Sequence, residues 1–390
     1  MTANTQTGEE TATTGRRVFR DPFVDFVRAA SLVVVVAWHW AFTILEWRDD
    51  GPHATNPIGF TKGLWLITWV LQVMPLFFLV GGWANLQAWR RAQEKGVRLG
   101  GFVLDRLRDL LAPAFALIAL WWGLLIAITA FLDVDWLRGA VILVLSPLWF
   151  AFTYAIVIAA FPLWLRLHDR WSYLAPIWMA GLAAAVDVAR FAHDVPYVGW
   201  LNMLFVWGLA HQIGFFYGDL VKAPRRAHAA MTWTGLFGLV ALVWSRIYPG
   251  SMVGVPGDKF SNMAPPSLAI VALVVLQTGL LLLVRPWLLE RLERERWQRF
   301  KNLLTKNAMG LYLLHTSGLA IWLAAVHLID RKAPLAREIS LGWWLTRPLA
   351  LTLPLLTTWP LVASLNRLSR SKQHADVSAL PDTTANSETS

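Results

Sequence analysis

The sequence predicts an all-α integral membrane protein of about ten transmembrane helices with both termini cytoplasmic, and three observations carry that prediction. Of the 390 residues, 56% are hydrophobic and only 15% are charged, which is too apolar for a soluble domain of this size. The apolar residues run in blocks about 20 long, the length of helix that crosses a hydrocarbon core, and not at the spacing of a soluble core helix. Short clusters of Lys and Arg lie between the blocks, as they do beside membrane spans.

Ten candidate spans follow from the length criterion: 24–46, 64–88, 109–132, 140–164, 173–190, 198–217, 231–248, 267–287, 307–329 and 342–364. The fifth is short and ends in Asp187 and Arg190. An even number of crossings puts both termini on one side. With the N-terminus inside, the inner segments hold 25 of the 35 Lys and Arg residues, as the positive-inside rule requires. Outer connectors such as "EWRDDGPHATNP" and "YPGSMVGVPGDKFSNMAPP" have the Gly, Pro and Asn of loops. In the inner segment 288–306, Leu288, Leu289, Leu292, Phe300, Leu303 and Leu304 recur at helical spacing among charges, the pattern of an amphipathic helix on the inner leaflet. The polar segments 1–21 and 367–390 are expected to be disordered cytoplasmic tails flanking one membrane domain, 22–366. "GRRVFR" at 15–20 resembles a twin-arginine signal only faintly, since the apolar run after it is long and is followed by further spans.

Several function classes drop out. The net charge of +10 is accounted for by the inner clusters, with no basic and aromatic platform for nucleic acid. There is no cysteine, so disulfides, thiolate catalysis and thiolate metal sites are excluded. No His-x-x-x-His or His-x-x-Glu-His spacing marks a metal site. Neither Gly81-Gly82 nor Gly100-Gly101 forms a phosphate loop.

The first span, "FVDFVRAASLVVVVAWHW" at 23–40, carries Asp25, Arg28 and His39. Arg28 and His39 are eleven residues apart, three turns plus about 20°, so they share one helix face with His39 about 16 Å further along. Asp25 lies one turn before Arg28, in reach of it. Ionisable groups within spans are costly and normally face an interior or a water-filled cavity. Near the span end, Asp25 and Arg28 serve equally well as snorkelling anchors. His39 lies deeper, and a neutral imidazole there suits a general base.

This stretch resembles the first span of acyltransferase family 3, whose hallmark is an Arg, ten intervening residues and a His, usually with an Asp ahead. Further similarities follow in order along the chain. "MPLFFLVGGW" at 74–83 is similar to the family's Pro-x-Phe-Phe stretch running into Ser-Gly-Phe, with Gly81 for the usual Ser and Trp83 for the usual Phe. "LDRLRDLLAP" at 104–113 resembles the Arg-rich entry to the third span, although Asp109 stands where a second Arg is common and Arg108 is the available substitute. "SPLWFAFTY" at 146–154 and "NAMGLYLLHT" at 307–316 resemble the middle and late signatures.

The resemblance implies an O-acyltransferase of the cell membrane that moves an acyl group, often acetyl, from cytoplasmic acyl-CoA to a hydroxyl of an envelope carbohydrate or lipid-linked glycan. It implies His39 as the catalytic base, with Arg28 and Asp25 beside it in the catalytic set. Arg28, Arg106 and Arg108 would bind the donor's phosphates, and Trp83, Trp149, Tyr312 and His315 would line the substrate cavity. Acetyl-CoA would be a donor substrate, with no permanently bound cofactor and no metal. His315 and His211 are each open to two readings, second proton carrier or structural hydrogen bond, while His53, His168, His193, His228 and His374 fall in loops or tails. The alternative function is a proton-coupled transporter using Arg28, His39 and His315 as a relay. A silent scaffold would leave the ionisable track without a purpose.

Overall fold

The computed structural model describes residues 21–378 apart from 49–50, 134–135, 256–257, 259 and 330–339. The expected disorder of residues 1–20 and 379–390 falls outside the described residues.

Helix α1 (Pro22–Phe42) starts where Asp21 accepts the Phe23 amide at 2.9 Å. Pro22 occupies a first-turn position that needs no N–H. The strands β1 (Ile44–Arg48) and β2 (Gly51–Thr55) then pair antiparallel. This hairpin takes up most of the connector read as loop from 46 to 57, its Ile44, Trp47 and Thr55 being strand formers. A single turn, α2 (Thr68–Leu71), precedes α3 (Met74–Glu94) and the long α4 (Leu99–Thr129), which contains Pro113. Next, α5 (Leu137–Leu145) and α6 (Trp149–Ala159) are joined end to end by a 3-10 turn at Ser146–Leu148. Then come α7 (Phe161–Trp171), α8 (Leu174–Phe191), α9 (Asn202–Phe215), α10 (Tyr217–Lys222), α11 (Arg225–Trp244) and α12 (Leu268–Leu292). The chain finishes with α13 (Glu295–Ile329), α14 (Leu341–Leu345) and α15 (Arg347–Ser378).

Among the described residues, nine helical segments are long and apolar enough to cross a membrane. The remaining expected span, the sixth at 198–217, resolves into α9, only 14 residues long, preceded by a 3-10 turn at Val198–Leu201. At 1.5 Å per residue α9 measures about 21 Å. Its Val206, Trp207, Ala210, His211 and Gln212 are all at 0% exposure, so protein and not lipid surrounds it. Backbone shut inside protein is free of the length rule that lipid imposes.

Around this axis the helices sort by burial. Of the most apolar stretch of each, 50% is buried in α1 and 56% in α12, against 17% in α4, α11 and α15. The second group therefore forms the lipid-facing perimeter, with Phe115, Ile126, Trp233 and Phe237 exposed on it. Helices α3 and α9 cross in near backbone contact. A Cβ on Gly82 would overlap the His211 carbonyl, and one on Gly214 the Leu79 carbonyl.

Three further differences from expectation have local causes. The amphipathic segment 288–306 is not a separate surface helix: Leu288, Leu289 and Leu292 end α12, and Phe300, Leu303 and Leu304 belong to the first turns of α13. The sequence there lacks a Gly or Pro that would divide it from span nine. Helix α15 continues past 366 to Ser378, so the expected tail is helical at its start. Asp187, expected as the polar end of a short span, is 2% exposed and accepts from Asn202 Nδ2 (2.9 Å), the Tyr248 hydroxyl (3.0 Å) and the Leu268 amide (2.7 Å). One carboxylate thus ties α8 to α9, to the connector before α12, and to the N-terminus of α12, where a negative charge is favoured.

Candidate functional site

Helices α1 and α13 lie side by side with Trp40 Nε1 donating to the His315 carbonyl at 3.0 Å. This contact brings together two histidines 276 residues apart in sequence, with His315 Nε2 3.4 Å from His39 Nδ1 and the ring centroids 5.0 Å apart. Each ring is also fixed by its own helix. His39 Nδ1 is 2.8 Å from the Val35 carbonyl, and His315 Nδ1 is 2.6 Å from the Tyr312 carbonyl.

A carbonyl oxygen only accepts, so Nδ1 carries the proton on both rings. His315 Nε2 is then a lone pair, and His39 Nδ1–H is shared between it and Val35. The lone pair of His39 Nε2 has no partner among the described residues, and that is the form a general base needs. His315 is at 0% exposure, whereas His39 keeps part of its surface open. Of the pair, only His39 has surface open.

Tyr312, one turn before His315, has its hydroxyl fully engaged. It donates to the Pro147 carbonyl at 2.9 Å and accepts from the Ala151 amide at 3.2 Å, closing the junction of α5 and α6. Its ring meets Phe150 at 5.8 Å and His315 at 6.4 Å. Trp149 packs beside Phe150 and Trp207 at 6.3 and 6.5 Å. Tyr312 and Trp149 thus lie beside the histidine pair and the aromatic cluster next to it. Trp83 does not: it packs on Tyr217 at 5.7 Å, among the residues that anchor the start of α1.

At the other end of α1, Arg28 Nη2 pairs with Asp25 Oδ1 at 3.3 Å, with 43% and 19% of the side chains exposed. The two sequence-adjacent charges thus meet as their spacing requires. Arg106 on α4 lies over the Phe102 ring at 5.4 Å. Of the expected donor cations, Arg28 and Arg106 are partly buried, whereas Arg108 is exposed.

Tyr154 and Asn85 carry no charge and belong to no motif read as chemical, and the sequence reading passed over both. Asn85 Nδ2 donates to the Tyr154 hydroxyl at 3.1 Å and lies 3.2 Å from His211 Nε2. Of the two readings of His211, the structural hydrogen bond is the one present. From Tyr154 a run of ring contacts leads to the histidine pair: Phe150 at 5.8 Å, then Tyr312, then His315. The only early sign was a lone Asn inside span two and a Tyr closing "SPLWFAFTY".

Among the described residues, no group of three or more His, Cys, Asp or Glu converges in a way that could hold a metal ion. The arrangement offers a candidate base in the bundle, Arg28 about 16 Å lower along α1, and a run of rings that leads from Tyr154 to the histidine pair.

Comparison with known proteins gives one match. A family model described as an acyltransferase domain covers residues 21–363, which takes in α1 through most of α15. Searches of curated proteins and of solved structures find no match. The matched region contains every candidate residue above, and with nine membrane-length helices the protein is a multi-pass membrane acyltransferase: the chain belongs to acyltransferase family 3.

Proposed function

We propose that the protein is an O-acyltransferase that takes an acyl group, most simply acetyl, from acyl-CoA and delivers it to a hydroxyl of an envelope carbohydrate or glycolipid. The observation that carries the reading is the His39–His315 pair, in which His39 Nδ1 is engaged and His39 Nε2 has no hydrogen-bond partner among the described residues. A hydroxyl is a poor nucleophile at neutral pH and needs such a base as it attacks.

In the proposed reaction the acceptor hydroxyl gives its proton to His39 Nε2 while its oxygen attacks the thioester carbonyl. The tetrahedral intermediate collapses with cleavage of the carbon–sulfur bond, and the imidazolium returns the proton to the departing thiolate. His315 presents its Nε2 lone pair to His39 Nδ1–H throughout, which holds the ring in place and favours the charge it acquires. Arg28, oriented by Asp25, and Arg106 supply positive charge for the donor's phosphates. The transporter alternative needs a relay linking Arg28 to the histidines. Of the rings that lead toward His315, Phe150 has no proton to pass on and the Tyr312 hydroxyl is already committed to Pro147 and Ala151, which favours transfer over proton transport.

Mass spectrometry of envelope glycans and lipids from cells with and without the gene tests the reading. The expected result is an acyl increment on one glycan or lipid class that disappears with the gene. Identical spectra, together with no consumption of acetyl-CoA by the purified protein, would overturn it.

A further inference from the structure

The proposed chemistry leaves unused a polar group shared by α3 and α6, Asn85 and Tyr154. Asn85 Nδ2 has two protons, and they are committed to the Tyr154 hydroxyl (3.1 Å) and to His211 Nε2 (3.2 Å). His211 therefore carries its proton on Nδ1, which has no partner among the described residues. That ring is at 0% exposure between Phe161 and Phe215, out of a ligand's reach. Its part is to orient Asn85. Tyr154 differs: its oxygen already accepts, its own proton has no acceptor among the described residues, and part of its surface is open.

The position of that hydroxyl is specified from the opposite side too. A Cβ on Gly81 would overlap it, so this chain places a Tyr154 hydroxyl where a side chain at position 81 would otherwise stand. Tyr154 also begins the ring run that ends at His315. A donor with its phosphates at Arg28 and its thioester at His39 lies along α1, against which α3, the helix of Gly81 and Asn85, packs. The part of acyl-CoA that lies there is the pantetheine arm, whose polar groups are amides.

We infer that Tyr154, held by Asn85 and His211, forms a binding site that donates a hydrogen bond to an amide carbonyl of the donor's pantetheine arm. The inference rests on the acyl-CoA reading above. It assigns the arm its own site, separate from the one for the phosphates.

Inhibition of acetyl-CoA-dependent transfer by fragments of the donor tests it, using the full-length protein in lipid. The fragments are coenzyme A, pantetheine, and the nucleotide part of coenzyme A without its arm. Tyr154→Phe should weaken inhibition by coenzyme A and by pantetheine about tenfold, the worth of one hydrogen bond, and leave the nucleotide fragment unchanged. Asn85→Ala, which frees the Tyr154 hydroxyl, should give the same selectivity. Arg28→Ala should give the converse pattern, weakening coenzyme A and the nucleotide fragment but not pantetheine. Equal weakening of all three fragments by Tyr154→Phe, or unchanged pantetheine inhibition, overturns the arm site while leaving the acyl-CoA reading intact. A wild-type protein that neither uses acetyl-CoA nor is inhibited by coenzyme A overturns both.

Discussion

His39 and His315 divide their labour through hydrogen bonds that each helix supplies from within. The Val35 and Tyr312 carbonyls fix both protons on Nδ1, so the base and its supporting ring keep distinct roles. If His315 acts by holding His39, then His315→Ala should lower kcat about 100-fold through misplacement of the base. His315→Gln keeps an acceptor near His39 Nδ1 and should recover part of that loss. Equal activity of both variants with wild type in a single-turnover assay would remove His315 from the account. Arg28→Ala should instead raise KM for acyl-CoA about tenfold or more, since the lost contact is charge-assisted, with kcat nearly unchanged. At this scale the sequence was informative where charge or imidazole broke an apolar span. Asp25, Arg28, His39 and His315 each stand out against lipid-soluble neighbours. Asn85 and Tyr154 do not, because a neutral amide or phenol in a span becomes notable only when its partners on other helices are known.

Element by element, the bundle is held by close backbone crossings and by a few buried polar knots, there being little hydrophobic drive between helices in lipid. The α3–α9 crossing is one such place, and Gly82→Val should fail there because the new side chain meets the His211 carbonyl. Its cost is expected at or above the usual 1–3 kcal/mol of overpacking, read as a lower melting temperature in detergent. Asp187→Ala should leave the Leu268 amide, the Tyr248 hydroxyl and the Asn202 amide without their shared acceptor. About 3 kcal/mol or more is at stake, and a melting temperature within a degree of wild type would show that the knot contributes nothing. Spans such as α1, α4, α11 and α12 were legible because length and hydropathy alone define a helix that meets lipid. Helix α9 was overestimated in length, since its apolar run includes a 3-10 turn and the start of α10. The hairpin of β1 and β2 was missed because its Gly, Pro and Asp content reads as loop.

As a whole molecule, the protein places its two candidate centres at different depths. Asp21, Tyr217 and Arg285 anchor the beginning of α1, the Tyr217 hydroxyl donating to Asp21 at 2.8 Å and Arg285 pairing with Asp21 at 3.5 Å. Arg347 secures its end, donating to the Ala41 carbonyl at 2.8 Å. If the basic segments lie inside, as the positive-inside rule expects, the arginines face the cytoplasm and His39 lies toward the far side, and transfer is then expected near the outer leaflet. Absence of native cysteine makes single-cysteine labelling a clean check. A thiol at residue 222, beside α11's basic start, should react only from inside, and one at residue 197, between α8 and α9, only from outside. The reverse pattern would invert the orientation and with it the direction of donor entry. The meeting of α1 with α13 across 276 residues was not readable in the sequence, since nothing in a linear pattern says which spans are neighbours. The measurement that bears most directly on the enzyme is transfer of labelled acetyl from acetyl-CoA to the envelope fraction by His39→Ala, with membrane insertion and melting followed in parallel. A normally inserted, normally melting variant whose transfer falls by a factor of about 100 to 10,000 is the predicted result; the same variant transferring acetyl at the wild-type rate would contradict the assignment of residue 39 as the base.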